Sequence, residues 1–196
     1  KQYIDDWGKK VLILTHRIEL SVQTSKQLSA IGVSNKIINS EVKTLDDQDE
    51  YSCFIAMVET LNNRLQEDEN FIKKIGLVIV DEAHYNSFRK IFQYYVQANI
   101  LGVTATPLSS NKALPLNDHY DELKVGESIS SLIESGYLAN AETFTNDVNL
   151  HGLKIGSNGD FTVSSSEQVY GNYFMQEKLL FAYEEVAVGT KTLIFN

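Results

Sequence analysis

The sequence predicts an α/β domain whose parallel sheet is covered by helices on both faces. Apolar runs of strand length recur through the first hundred residues, and helical segments separate them; the runs are 11–15, 53–58, 77–80 and 99–104. Strands that are apolar throughout, rather than at alternate positions, are typical of parallel sheets buried on both sides. A hydrophobic share of 43% over 196 residues is sufficient for a globular core and excludes a disordered or collagen-like chain.

The remaining elements follow from apolar spacing and from glycine stops. In the first part of the chain we expect helices at 18–31, 59–66 and 87–97 and a short strand at 36–39. Beyond residue 109 we expect a helix at 128–135, a strand at 142–148, an exposed loop or hairpin at 150–166, a helix at 167–188 and a strand at 192–195. A boundary near Tyr137 divides the chain into a first domain, 1–136, and the beginning of a second, 137–196.

Charge, cysteine content and hydropathy bear on nucleic-acid binding, cellular compartment and membrane insertion. The net charge of −9 by itself argues against nucleic-acid binding, because phosphate contacts need basic side chains. The acidic excess is local, however: residues 41–69 hold nine acids and two bases, whereas residues 1–40 hold six bases and three acids. The single cysteine, Cys53, lies in an apolar run, which predicts a buried thiol and a reducing, cytoplasmic location. No stretch of 18 apolar residues occurs, so no membrane span is predicted.

Two adjacent acids follow the third apolar run. Asp81 and Glu82 come directly after residues 77–80, and Ala83 and His84 complete the motif. Ligands of parallel sheets bind beyond the carboxyl ends of the strands. One carboxylate there can hold a magnesium ion that bridges phosphate oxygens, and its neighbour can activate the attacking water. The structural alternative is a pair of acids that stabilises the first turn of a helix.

Two hydroxyl side chains follow the fourth apolar run. Thr104 lies 23 residues after Asp81, and Thr106 precedes Pro107. Hydroxyls at this strand end can hydrogen bond to the acidic pair and respond to a γ-phosphate. The structural alternative is a strand that ends in a turn enforced by the proline.

In this order and at this spacing, the motifs resemble those of superfamily 2 helicases and translocases of the DEAH-box kind. Residues 81–84 resemble the Walker B motif and residues 104–106 resemble motif III. Weaker matches follow the family order: residues 14–20 resemble motif Ia, 56–61 motif Ib, 126–138 the stretch that leads into the second motor domain, and 191–195 motif IV. Motif Ia has the form seen in DNA-directed relatives such as restriction-enzyme motor subunits and phage-type helicases. The resemblance implies a RecA-like sheet and the start of a second RecA-like domain.

The resemblance also implies a role for each matched residue. Asp81 would coordinate magnesium and Glu82 would activate water. Three residues would couple the nucleotide site to movement: His84, Thr104 and Thr106.

A second group of residues would lie beside the nucleic-acid strand: Thr15, His16, Arg17 and Thr60. Two of them have structural alternatives. Arg17 fits a solvated charge at a helix start, and Thr60 fits a helix N-cap.

A phosphate-binding loop of the pattern G-x-x-x-x-G-K-[ST] does not occur in the sequence. The stretch Gly189-Thr190-Lys191-Thr192 lacks the first glycine and precedes a predicted strand, whereas a phosphate-binding loop opens a helix. In the resembled family this loop precedes motif Ia, so we expect it before Lys1, and motifs V and VI after Asn196. We therefore expect the parent protein to be a DNA motor that uses ATP and magnesium, with a nuclease or other subunit or domain as a candidate partner. This chain alone should hydrolyse ATP negligibly.

Three other interpretations stay open from the sequence. An RNA helicase fits the acid motif, and only the form of motif Ia favours DNA. A non-catalytic binding domain with a motor fold is the second, and the intact acid and Thr-Ala-Thr motifs argue against it. A chance match is the third, and the ordered series of motifs argues against that.

Overall fold

The computed structural model describes residues 1–109, 111, 113–145, 147, 149–156 and 160–193. The chain divides into two compact units, Lys1–Val125 and Gly126–Asn196. The sequence places its domain boundary later, after residue 136. No helix within the described ranges is long and apolar enough to span a membrane.

The first unit is built on a parallel sheet, as predicted. Among the described residues it has five strands: β1 (Lys10–Thr15), β2 (Asn35–Ile38), β3 (Cys53–Met57), β4 (Ile75–Asp81) and β5 (Asn99–Val103). They run in the order β2-β3-β1-β4-β5, and every neighbouring pair is parallel. Each apolar run of the sequence has therefore become a strand of one sheet, which confirms the predicted fold class.

Helices pack on both faces of this sheet. The first unit contains α1 (Gln2–Trp7), α2 (Ile18–Ala30), α3 (Val58–Glu67) and α4 (Arg89–Phe92). The larger core joins one sheet face to α3, α4 and the turn before α4, and its fully buried members include Leu12, Phe54, Val80, Leu61 and Ile91. A smaller cluster on the other face centres on Val11, Val33 and Cys53, with Tyr3 of α1 and Leu28 of α2 packed against it.

The helix predicted at 87–97 is shorter than expected. A 3₁₀ turn, Asn86–Phe88, leads into α4, and the helix ends at Phe92. The face proposed from the apolar spacing is nevertheless the buried one, since Phe88, Ile91, Phe92 and Tyr95 are at most 7% exposed. Burial was therefore predicted correctly where helix length was not.

The second unit departs further from expectation. It contains α5 (Ile129–Glu134), α6 (Val163–Tyr170) and α7 (Tyr173–Val186). The long helix predicted at 167–188 is wrong, because Gly171 ends α6 and the Asn172 side chain caps α7 by accepting from the Met175 N–H at 3.0 Å. No strand forms in 142–145, 147, 192 or 193, and the rest of both predicted strands lies outside the described residues.

Candidate functional site

The candidate site lies at the carboxyl edge of the sheet. All strands are parallel, so the ends of β1, β4 and β5 reach the same edge, and Asp81 pairs in register with Val103. The Ala83 N–H donates to the Val103 carbonyl at 3.0 Å, which continues the pairing beyond β4. The pairing therefore brings the acid motif and the Thr-Ala-Thr motif side by side.

A hydrogen-bond network links these two motifs. The Nδ1 atom of His84 lies 2.9 Å from Thr104 Oγ1 and 3.4 Å from Thr106 Oγ1. The same nitrogen is 3.3 Å from Glu82 Oε2. The Thr106 N–H donates to Thr104 Oγ1 at 3.1 Å, which fixes the turn after β5. One imidazole nitrogen thus contacts Glu82 and both threonines.

Glu82 adopts a strained backbone conformation. Its φ of 53° lies in the left-handed region, which costs a non-glycine residue about 1–3 kcal/mol. The chain turns here, and the Tyr85 N–H donates to the Glu82 carbonyl at 3.0 Å. The alternative that the acids begin a helix is wrong, because the next α-helix starts at Arg89.

Asp81, the last residue of β4, lines an open groove. The other residues that line the groove belong to α2 and its C-cap: Leu20, Gln23, Thr24, Gln27, Leu28 and Ile31. Within the described ranges, no hydrogen bond or ion pair engages the Asp81 side chain, and no group of three or more His, Cys, Asp or Glu could hold a metal. Magnesium is commonly held by one or two carboxylates together with substrate phosphates, so Asp81 and Glu82 fit that ion.

The β1–α2 loop is held by buried hydroxyls. Thr15 is 1% exposed, and its Oγ1 lies 2.7 Å from Ser21 Oγ. Both hydroxyls also reach the Arg17 carbonyl, at 3.3 and 3.4 Å. The buried Thr15 hydroxyl therefore helps to fix the conformation of the loop. Arg17 is exposed and occupies the N-cap position of α2.

Thr60 lies near this loop at the same edge. It is the third residue of α3, which follows β3, and β3 pairs with β1 so that Met57 stands opposite Thr15. The N-cap of α3 is Met57, so the alternative that Thr60 caps the helix is wrong. The proposed nucleic-acid residues thus cluster at β1 and β3, and the proposed nucleotide residues at β4 and β5.

Two residues at this edge escaped the sequence analysis. Ser21 is fully buried beneath the β1–α2 loop, and nothing in the helical spacing marks a serine that bonds to a strand end. The Tyr85 ring packs at a tilt against His84, with ring centroids 4.2 Å apart, and lies 5.3 Å from the His16 ring. Its position directly after the acid motif was the one available signal.

Close packing beneath the site depends on a glycine. A Cβ atom added at Gly102 would lie 2.7 Å from the Ala83 Cβ and 2.8 Å from the Tyr120 ring. Burial raises the pKa of Tyr120 to about 12, so its hydroxyl stays neutral. The absence of a side chain at position 102 lets the two motif loops approach each other.

The fold and this edge define a RecA-like α/β domain with a polar site across its strand ends. The chain belongs to the family described as "Type III restriction enzyme, res subunit", which matches residues 1–109, more than half of its length. Together with the helicase relatives described next, this match supports the coarser part of the resemblance, a superfamily 2 helicase-like fragment.

The chain is also similar to parts of longer proteins. A "51.5 kDa protein" of Lactococcus phage (isolate 7-9) is 26% identical over 192 residues, which are 96% of this chain and 38% of that protein. The "Putative ATP-dependent helicase IRC3" of Saccharomyces cerevisiae is 28% identical over 142 residues, 68% of this chain and 20% of that protein. The helicase domain of Pyrococcus furiosus Hef shares the fold, with a TM-score of 0.50 at 21% identity over 60% of this chain and 28% of its own.

Proposed function

We propose that this chain is part of an ATP-dependent DNA motor of the DEAH-box kind and carries its water-activating and coupling residues. The observation that carries the proposal is the contact of one His84 ring nitrogen, Nδ1, with both Glu82 and Thr104. The family match and the similarity to a putative ATP-dependent helicase support an ATP-driven nucleic-acid motor. The form of motif Ia and the restriction-enzyme family favour DNA over RNA.

The two acids divide the hydrolytic work. Asp81 has a half-buried carboxylate without a partner in the described part of the chain, and it would hold magnesium together with the phosphates. The bound ion would neutralise charge that develops on the phosphate oxygens. Glu82 keeps a side chain 39% exposed at the mouth of the site, and it would accept the proton of the attacking water.

The residues around the acids would change their contacts with the state of the bound nucleotide. His84 contacts Glu82 and the two threonines, so a change at the nucleotide would alter its hydrogen bonds. Arg17 is exposed at the start of α2, where a guanidinium suits a phosphate of the nucleic-acid backbone. Thr60 would assist from α3, and Thr15 and His16 would shape the loop.

The phosphate-binding loop would come from a segment outside residues 1–196. Support for this comes from β5, whose outer edge is unpaired in the described residues and whose Leu101 and Val103 are each 52% exposed. An apolar strand exposed to this extent is typical of an edge that a further element covers. The remaining part of the second motor domain would also lie outside this chain, and a nuclease or another subunit would complete the assembly.

Steady-state ATP hydrolysis by the complete protein tests this proposal. We expect turnover that rises with DNA and rises less with single-stranded RNA, and negligible turnover by residues 1–196 alone. Greater stimulation by RNA would support the RNA helicase instead. Nucleic-acid binding without any turnover would support a non-catalytic binding domain, and robust hydrolysis by residues 1–196 would contradict the dependence on an external phosphate-binding loop.

A further inference from the structure

Tyr85 lies between two histidines from different loops. Its ring centroid is 4.2 Å from that of His84 at an interplanar angle of 39°, and 5.3 Å from that of His16 at 47°. Aromatic rings at such separations and tilts attract each other beyond simple burial. The three rings therefore join the loop after β1 to the loop after β4.

The His84 end of this chain of contacts is firmly held. The imidazole contacts Thr104 at 2.9 Å and Glu82 at 3.3 Å, and the Tyr85 N–H donates to the Glu82 carbonyl at 3.0 Å. A displacement of the Tyr85 ring would therefore disturb a side chain on which both motifs depend. Rigid contacts of this kind transmit a shift instead of absorbing it.

At the other end of these ring contacts, the hydrogen bonding of His16 is incomplete. Its Nδ1 atom is buried and has no hydrogen-bond partner within the described residues. A buried, unpaired nitrogen destabilises this ring position relative to any position where it finds a partner. The exposed Arg17 follows directly, so a ligand that binds Arg17 acts on the neighbouring ring.

We infer that Tyr85 is a positioning residue that couples occupation of the β1–α2 loop to the His84–Thr104 contact. When nucleic acid binds the loop, the His16 ring shifts, Tyr85 follows, and the hydrogen bonds of His84 adjust at the nucleotide site. The inference rests on the proposed function, because it needs both a nucleic-acid site and a nucleotide site. It assigns Tyr85 to neither site: the residue acts through its two histidine neighbours.

The test compares Tyr85→Ala with Tyr85→Phe in the complete protein. ATP turnover is measured without nucleic acid and with saturating single-stranded oligothymidylate, and their ratio is the stimulation. Mutations along a coupling route change coupling by about 0.5–2 kcal/mol, so we expect Tyr85→Ala to lower the stimulation roughly two- to thirtyfold. Tyr85→Phe keeps the ring and should retain most of the stimulation. Tyr170→Ala is the matched control, since Tyr170 is 48% exposed against 43% for Tyr85.

A double-mutant cycle separates coupling from a local structural effect. His16→Ala and Tyr85→Ala should lower the stimulation together by little more than either does alone, because they interrupt one route. Unchanged stimulation in Tyr85→Ala, an equal loss in Tyr85→Phe, or fully additive losses would each overturn the inference. A wild-type protein that shows no stimulated turnover would instead contradict the proposed function, so the two failures are distinguishable.

Discussion

The Nδ1 atom of His84 lies 2.9 Å from the hydroxyl oxygen of Thr104, a residue 20 positions further along the chain. This contact follows from strand pairing, because Asp81 and Val103 are partners and the two loops leave the sheet together. The hydrogen bond from the Ala83 N–H to the Val103 carbonyl holds the two loops side by side where they leave the sheet. Removal of either side chain should therefore affect the other.

A double-mutant cycle on this pair should give non-additive losses. We expect His84→Ala and Thr104→Val each to reduce nucleic-acid-stimulated ATP turnover, and the double variant to lose about 0.5–3 kcal/mol less than their sum. Thr106→Val is the control, because its hydroxyl is 3.4 Å from the same nitrogen and should interact more weakly. Steady-state turnover checks the prediction, and strictly additive losses would show that the contact has no role in turnover.

Glu82→Gln should stop hydrolysis and leave nucleotide binding intact. An amide cannot accept a proton from water, and loss of a general base costs about 10²–10⁴-fold in rate. Glu67→Gln is the matched control, because Glu67 is an exposed carboxylate outside all of the motifs, and its partner is Arg64 at 3.8 Å. Turnover and binding of a fluorescent ATP analogue are measured on the complete protein. Unchanged turnover in Glu82→Gln would remove Glu82 from the proposed role.

The sequence predicts an element correctly where neighbouring residues determine it, and fails where the element depends on residues far along the chain. The run at 77–80 is apolar throughout, and it forms β4 inside the sheet between β1 and β5, with Val78 and Val80 fully buried. Residues 142–145 and 147 show strand-like composition but form no strand, because a strand needs a partner that local pattern does not supply. Gly171 and Asn172 are residue types that end and begin helices, and they mark the break between α6 and α7 in the sequence. The prediction nevertheless followed the apolar spacing and gave one continuous helix.

The sequence likewise identified only some of the residues at the candidate site. Asp81, Glu82 and Thr104 were identified from their positions at strand ends, and parallel pairing explains why such positions converge. Ser21 and Tyr85 were missed because no local pattern marks their contacts: Ser21 of α2 bonds to Thr15 at the end of β1, and Tyr85 reaches His16 in another loop. The sequence therefore predicted the residues at the edge, but not those that hold them in place.

Ser21→Ala should destabilise the protein through the β1–α2 loop. The substitution removes the 2.7 Å partner of the buried Thr15 hydroxyl and leaves it only the Arg17 carbonyl at 3.3 Å, and the loss of one hydrogen bond costs about 0.5–1.5 kcal/mol. Ser87→Ala is the control, since Ser87 is exposed and surface substitutions usually change stability by about 0.5 kcal/mol or less. The midpoint of urea unfolding measures the difference, and equal midpoints for the two variants would contradict the importance of this buried pair.

Gly102→Ala should force the two motif loops apart. The new methyl group would meet the Ala83 Cβ at 2.7 Å and the Tyr120 ring at 2.8 Å, and overpacking of this kind costs about 1–3 kcal/mol. Gly126→Ala is the matched control, because nothing lies within 4 Å of a Cβ atom at that position. Thermal unfolding compares the two variants. If Gly102→Ala proves as stable as Gly126→Ala, the close approach beneath the site is not required.

The Cys53 thiol should be unreactive in the folded protein and should make stability fall at high pH. Cys53 is 1% exposed, and burial raises its pKa from 9.0 to about 12. Between these values the unfolded chain loses the thiol proton and the folded chain keeps it, so the contribution to stability is complete below pH 9 and declines as the pH rises toward 12. Cys53→Ala isolates the thiol from other groups that titrate in this range: its unfolding free energy should fall less steeply with pH than that of the wild type. A disulfide reagent should label Cys53 only in urea, and rapid labelling without urea would show that the thiol is accessible in the folded state.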